Sequence, residues 1–171
     1  MSRYATLDRN KAVEYALAHA EDPNYIDFGY FFPLGDCTNF VSQCWNYAGI
    51  PQKNGWYFNS MTDYAKSWSV VEDFGNYMTY YSSLFMEDNE AVAVYKWSSN
   101  EVKPGDIIQF SKENDEKGNP IWHHSAIITN IENGEIYYAQ HSKDLKNVAL
   151  SSQYPNPEKS VRFICPIYAT Y

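Results

Sequence analysis

At 171 residues, 44% of them hydrophobic, the chain can build one substantial core but not two ordinary domains, so a single domain over residues 1–171 is expected. A formal charge of −8 excludes a nucleic-acid backbone as partner, because holding phosphates takes clustered Lys and Arg. No stretch reaches the roughly 18 consecutive apolar residues of a membrane span, so no membrane insertion is expected.

The N-terminal Met1-Ser2-Arg3-Tyr4 lacks the apolar segment of a signal peptide, which leaves an intracellular protein or one whose leader has been removed. Asp8 is placed to cap a helix running to about Glu21, with Val13, Leu17 and Ala20 as its buried stripe and Asp22-Pro23 as its stop. The aromatic stretch from Asn24 to Leu34 reads as an irregular loop that delivers the chain to Gly35-Asp36-Cys37. A second helix follows from Cys37 to Ala48. Its apolar positions Cys37, Phe40, Val41, Cys44 and Ala48 keep helical spacing, and Gly49 suits the C-terminal cap.

The three cysteines are too few and too unevenly spaced for a disulfide framework, and none forms a Cys-x-x-Cys pair. Cys44 and Cys165 sit in apolar surroundings and read as small core residues. Cys37 differs because it stands at a helix start, where unsatisfied N–H groups and the helix dipole can pull a thiol below its free value of about 8.5.

Residues 51–100 are rich in aromatics, notably Gly55-Trp56-Tyr57-Phe58 and Ser67-Trp68-Ser69-Val70-Val71. A short helix is expected within Val71 to Met86, with Phe74, Tyr77, Met78 and Tyr81 inward. Large rings here fit a core better than a sugar-stacking surface. From Lys103 the texture changes to strands. Pro104-Gly105 makes a turn, Asp106 to Phe110 reads as a strand, and Ser111 to Pro120 reads as a solvated loop. Asn133-Gly134 between two β-rich runs marks a hairpin, and Val148 to Ser151 and Val161 to Ile167 add strands separated by a Pro155-Asn156-Pro157 turn.

If Asn133 and Gly134 are the centre of a type I′ turn, Glu132 pairs with Glu135 and Ala126 with His141. Alternation then puts His124 and His141 on one face with Ala126, Ile128 and Ala139, a face small enough for a helix to pack on. His123 points the other way, and with Trp122 reads as a packing or substrate-rim residue. A thiolate attacking an amide carbonyl needs an imidazolium beside it and a third polar group to fix the ring's tautomer. His124 fits the first role and His141 the second, with Cys37 as nucleophile.

The run Gly35 to Gln43, the Ser67-Trp68 to Tyr77-Met78 stretch, Pro104 to Phe110, His124-Ser125-Ala126-Ile127-Ile128 and Gln140-His141-Ser142 together resemble the bacterial putative amidase domain family, part of the papain-like cysteine peptidase superfamily. The opening Asp8-Arg9-Asn10-Lys11-Ala12-Val13 is similar to that family's first helix. The resemblance implies an α+β fold with the nucleophile helix packed on an antiparallel sheet. It also implies Cys37 as nucleophile, His124 as general base, and a polar third residue on the next strand, matched by His141. No cofactor and no metal are implied. The implied substrate is a peptide or amide bond, with peptidoglycan-like material the first class to test.

The chain departs from papain in one respect. No glutamine occurs between Met1 and Cys37 to serve the oxyanion hole, so the Cys37 N–H is one donor and the second is unassigned. Asp36 has the wrong charge for it, and Tyr30 is a candidate. Three other readings use the same residues. One is acyl transfer through the same dyad. Another is a catalytically inactive module in which residues 51–100 line a groove for a glycan or peptide. The last is a zinc site built from Cys37, His124 and His141.

Overall fold

The computed structural model describes residues 5–32, 35–81, 91–153 and 160–171. The Pro155-Asn156-Pro157 turn lies outside the described residues, as does the far end of the helix expected within Val71 to Met86.

The chain opens with β1 (Leu7–Asp8) and α1 (Arg9–His19). The Asp8 carboxylate accepts a hydrogen bond from the Lys11 N–H at 3.1 Å, the N-cap its position predicts. The buried stripe of α1 is Ala12, Tyr15 and Ala16, continued by Ala20, while Val13 and Leu17 are only half-buried. Alanines at the contact let the helix axis approach its neighbours closely, which turns the larger side chains to the flank. After α2 (Tyr25–Phe28) comes α3 (Cys37–Tyr47), buried continuously from Cys37 to Trp45, and Gly49 follows it at φ +112°, as expected for a helix end.

The middle of the chain holds β2 (Phe58–Ser60), β3 (Asp63–Tyr64), α4 (Lys66–Ser69) and α5 (Val71–Asn76), the last continuing into a π-turn over Tyr77–Tyr81. Its aromatics are core. Trp56, Trp68, Phe74 and Met78 are fully buried, and the Trp56 and Trp68 rings lie 4.8 Å apart.

The remaining strands are β4 (Ala93–Lys96), β5 (Ile107–Asn114), β6 (Pro120–Glu132), β7 (Glu135–Gln140), β8 (Leu145–Ala149), β9 (Val161–Pro166) and β10 (Ala169–Thr170). Six of them form one antiparallel sheet in the order β4-β9-β5-β6-β7-β8, with the N-terminal helices packed against it. The fold is α+β. The solvated loop expected from Ser111 to Pro120 is shorter than its polarity suggests, because β5 runs to Asn114 and β6 begins at Pro120. Polar side chains on a strand end facing solvent look like loop in sequence.

One face of the sheet carries Ile107, Ile127, Ala139 and Ile164 into a core shared with α1 and α3. The other carries Ile108, Phe110, Ala126, Ile128, Tyr138 and Phe163 into a second apolar cluster. Arg9 fastens the start of α1 to the start of β5 through a buried ion pair with Asp106 at 2.6 Å and a hydrogen bond to the Pro104 carbonyl at 2.9 Å. No described helix is long and apolar enough to cross a membrane.

Candidate active site

The hairpin between β6 and β7 starts as the sequence predicts. Asn133 and Gly134 both take positive φ, 52° and 80°, and Glu132 pairs with Glu135. The ladder then slips by one residue. Asn130 pairs with Tyr137 but Ile128 pairs with Tyr138, so Thr129 is the extra residue of a β-bulge. A single inserted residue exchanges the two faces of everything beyond it.

The exchange decides which residue meets His124. His124 shares its face with Ala126 and Phe110, on whose ring it stacks at 5.7 Å. On β7 that face now belongs to Tyr138 and Gln140. The Gln140 side-chain oxygen lies 2.6 Å from His124 Nε2, while its amide nitrogen donates to the Lys143 carbonyl at 2.9 Å. An amide held this way presents an acceptor to the ring. His124 Nε2 therefore carries the proton, and Nδ1 is left bare in the neutral ring.

His141 does not take the orienting place expected of it. It falls on the helix side with Ala139, stacks on Phe40 at 4.0 Å, and faces the Asp36 carboxylate with Nδ1 at 2.5 Å and the His19 carbonyl with Nε2 at 2.8 Å. Both ring nitrogens are engaged, so no lone pair remains for His124 or for a metal ion. Among the described residues no group of three or more His, Cys, Asp or Glu side chains could hold one.

Asp36 is the centre of that second cluster. Its Oδ1 accepts from the Phe31 N–H and from Asn39 Nδ2, both at 2.8 Å, and its own N–H donates to Ser142 Oγ at 2.6 Å. These contacts draw the carboxylate away from the first turn of α3, which it would otherwise cap, so Asp36 makes no side-chain capping bond to that turn. Gly35 supplies the reversal before the helix with φ +102°, a conformation a side chain would resist.

Cys37, Val71, His123, His124, Gln140 and Lys143 line one cleft of about 540 Å³. Cys37 and His124 thus border the same space. Both are mostly buried, and burial acts on them in opposite directions. It raises the Cys37 thiol above its ordinary value, against hydrogen bonds from the Ser125 backbone and from Thr38 that pull it down. It lowers His124 below 6.5, with the Gln140 hydrogen bond opposing. The depressed thiol expected from the helix dipole is not what the surroundings produce, because desolvation outweighs it. Both directions favour the uncharged forms, thiol and imidazole.

His123 turns Nδ1 to the Phe110 carbonyl at 3.1 Å on the cleft's rim. Tyr30, the candidate second oxyanion donor, instead donates its hydroxyl to Asp144 at 2.8 Å and stacks on His141, and burial together with that carboxylate pushes its phenol up to about 12. Gln140 was within sight in the sequence beside His141, but nothing in the residue pattern announces the bulge at Thr129.

A family profile described as "Putative amidase domain" matches residues 6–164. The chain belongs to that family. It is also 30% identical over 137 residues to the uncharacterized protein YhbB of Bacillus subtilis (strain 168), a match that covers 75% of this chain and 39% of YhbB. The chain therefore spans well under half of that relative's length. No solved structure matches.

Proposed function

We propose that this member of the amidase-domain family is a cysteine hydrolase of peptide or amide bonds, built as one papain-like domain. The observation that carries the reading is the Gln140 amide locked on His124 Nε2, in the cleft that also holds Cys37. It fixes the tautomer a general base needs.

His124 Nδ1 takes the thiol proton as Cys37 Sγ attacks the carbonyl carbon, and the tetrahedral oxyanion is met by the Cys37 N–H. Collapse breaks the C–N bond, the His124 imidazolium returns its proton to the leaving amine, and a thioester remains on Sγ. Water, deprotonated by His124, then attacks the thioester, and the thiolate leaves and recovers that proton. Neutral resting partners suit this sequence, since the proton moves only when a substrate is in place.

Peptidoglycan-like peptides are the substrate class to test first. Muropeptides and a small peptide panel are incubated with the native chain and with Cys37→Ala. Cleavage by the native chain that is abolished in the variant supports the reading, and full activity in Cys37→Ala overturns it. Added amine acceptors separate hydrolysis from acyl transfer by the appearance of transfer products.

A further inference from the structure

A row of buried polar groups runs along the helix-facing side of the sheet, from β9 across β5 and β6 to the nucleophile. The Arg162 guanidinium is sandwiched between the Tyr95 and Trp122 rings, 4.5 and 4.3 Å from their centroids, with Nη2 on Glu72 at 3.2 Å. Its Nε donates to Gln109 Oε1 at 2.9 Å. The Gln109 amide nitrogen donates to the Val71 carbonyl at 3.0 Å and to Ser125 Oγ at 3.2 Å. Ser125 Oγ lies 3.1 Å from Thr38 Oγ1, and Thr38 Oγ1 lies 3.7 Å from Cys37 Sγ. Gln109, Ser125 and Thr38 are all fully buried, so no solvent competes for these bonds.

The first bonds of the row take their direction from Arg162. Arginine can only donate, so Gln109 must turn its oxygen to Arg162 and its nitrogen to Ser125. A flipped amide would set donor against donor at Arg162 and acceptor against acceptor at Val71. Ser125 Oγ accepts from Gln109, which leaves its own hydrogen free for Thr38 Oγ1. With that bond made, the Thr38 hydrogen is free to point at sulfur. We propose that Arg162, Gln109, Ser125 and Thr38 form a one-way hydrogen-bond chain that aims the Thr38 hydroxyl at Cys37 Sγ, favouring the thiolate as it forms.

These are positioning residues, and their role rests on Cys37 being the nucleophile of the proposed hydrolase. Other charged or titratable groups near the sulfur are Asp36 before it, His123 and His124 on β6, and Lys143 beyond β7, with Glu72 at the remote end of the chain. All are shared by the variants below.

The test reads the acidity of Cys37 without needing turnover, by following iodoacetamide labelling of the Cys37 peptide by mass spectrometry from pH 6 to 10. Thr38→Val removes the terminal donor at nearly constant shape and is expected to slow labelling at pH 8 by about fivefold, whereas Thr38→Ser keeps the native profile. Gln109→Glu preserves the Arg162 contact but accepts where Gln109 donates. Ser125 then turns toward it and Thr38 toward Ser125, so this variant too is expected to label slowly. The Thr38→Val, Gln109→Glu double variant separates the chain from the added charge. If Gln109 acts through Thr38, its effect shrinks in the Thr38→Val background. Native-like labelling in Thr38→Val, or equal effects of Gln109→Glu with and without Thr38, overturns the chain. Should Cys37→Ala retain cleavage while Thr38→Val still slows labelling, the hydrolase reading falls and the chain stands.

Discussion

Replacing His141 by alanine should unfold the protein more readily, and the size of the effect follows from what it leaves behind. The Asp36 carboxylate is fully buried, and the His141 ring is its hydrogen-bond partner at 2.5 Å. Removing a partner from a buried carboxylate costs up to about 3–5 kcal/mol, since the charge stays behind with less compensation. Loss of the ring stacked on Phe40 at 4.0 Å adds to this. For a chain of 171 residues, about 4 kcal/mol lowers the melting temperature by roughly 8–16 °C. Urea denaturation of native protein, His141→Ala, Asp36→Asn and the double variant measures it directly. The double variant should lose less than the sum of the two single ones, because it strands no charge. A His141→Ala protein within about 1 kcal/mol of native stability, yet with its turnover abolished, would refute this account and return His141 to the orienting role.

The complementary variant is Gln140→Leu, which should leave stability within about 1 kcal/mol of native but lower kcat by about 10- to 100-fold with KM little changed, since it frees the His124 tautomer. Steady-state kinetics on a cleaved muropeptide or peptide checks this. Because burial holds His124 below 6.5, the neutral base should survive into mildly acid solution, and the acid limb of kcat/KM should fall below pH 6.5. The same depression makes stability linked to His124 fully present above pH 6.5 and lost as the pH drops through the lowered value, the unfolded chain taking up its proton first. Urea midpoints from pH 4 to 8 follow that loss.

Much of the site was legible because its signals are local. The Asp8 cap, the helix from Cys37 with Gly49 at its end, and the Asn133-Gly134 turn each depend on residues within one turn of one another. The aromatics of residues 51–100 read as core for a similar reason, since rings of that size are rarely left in solvent together. What escaped was the partner of His124. Strand parity carried from Asn133-Gly134 pairs Ala126 with His141, and the reasoning holds as far as Asn130; one extra residue at Thr129 then passes the role to Gln140.

Sequence alone settled that a cysteine would open a buried helix and that histidine-bearing strands would follow it, because caps, turns and hydrophobic spacing are short-range physics. Only the tertiary structure decided which polar groups those side chains meet. Gln140 reaches His124 through a bulge whose register depends on strand pairing, and Arg162 sets the first bond directions of the row toward Cys37 across 125 positions of chain. The sign of the Cys37 and His124 shifts was decided there as well, because desolvation depends on everything packed around a group, and no segment holds that information by itself.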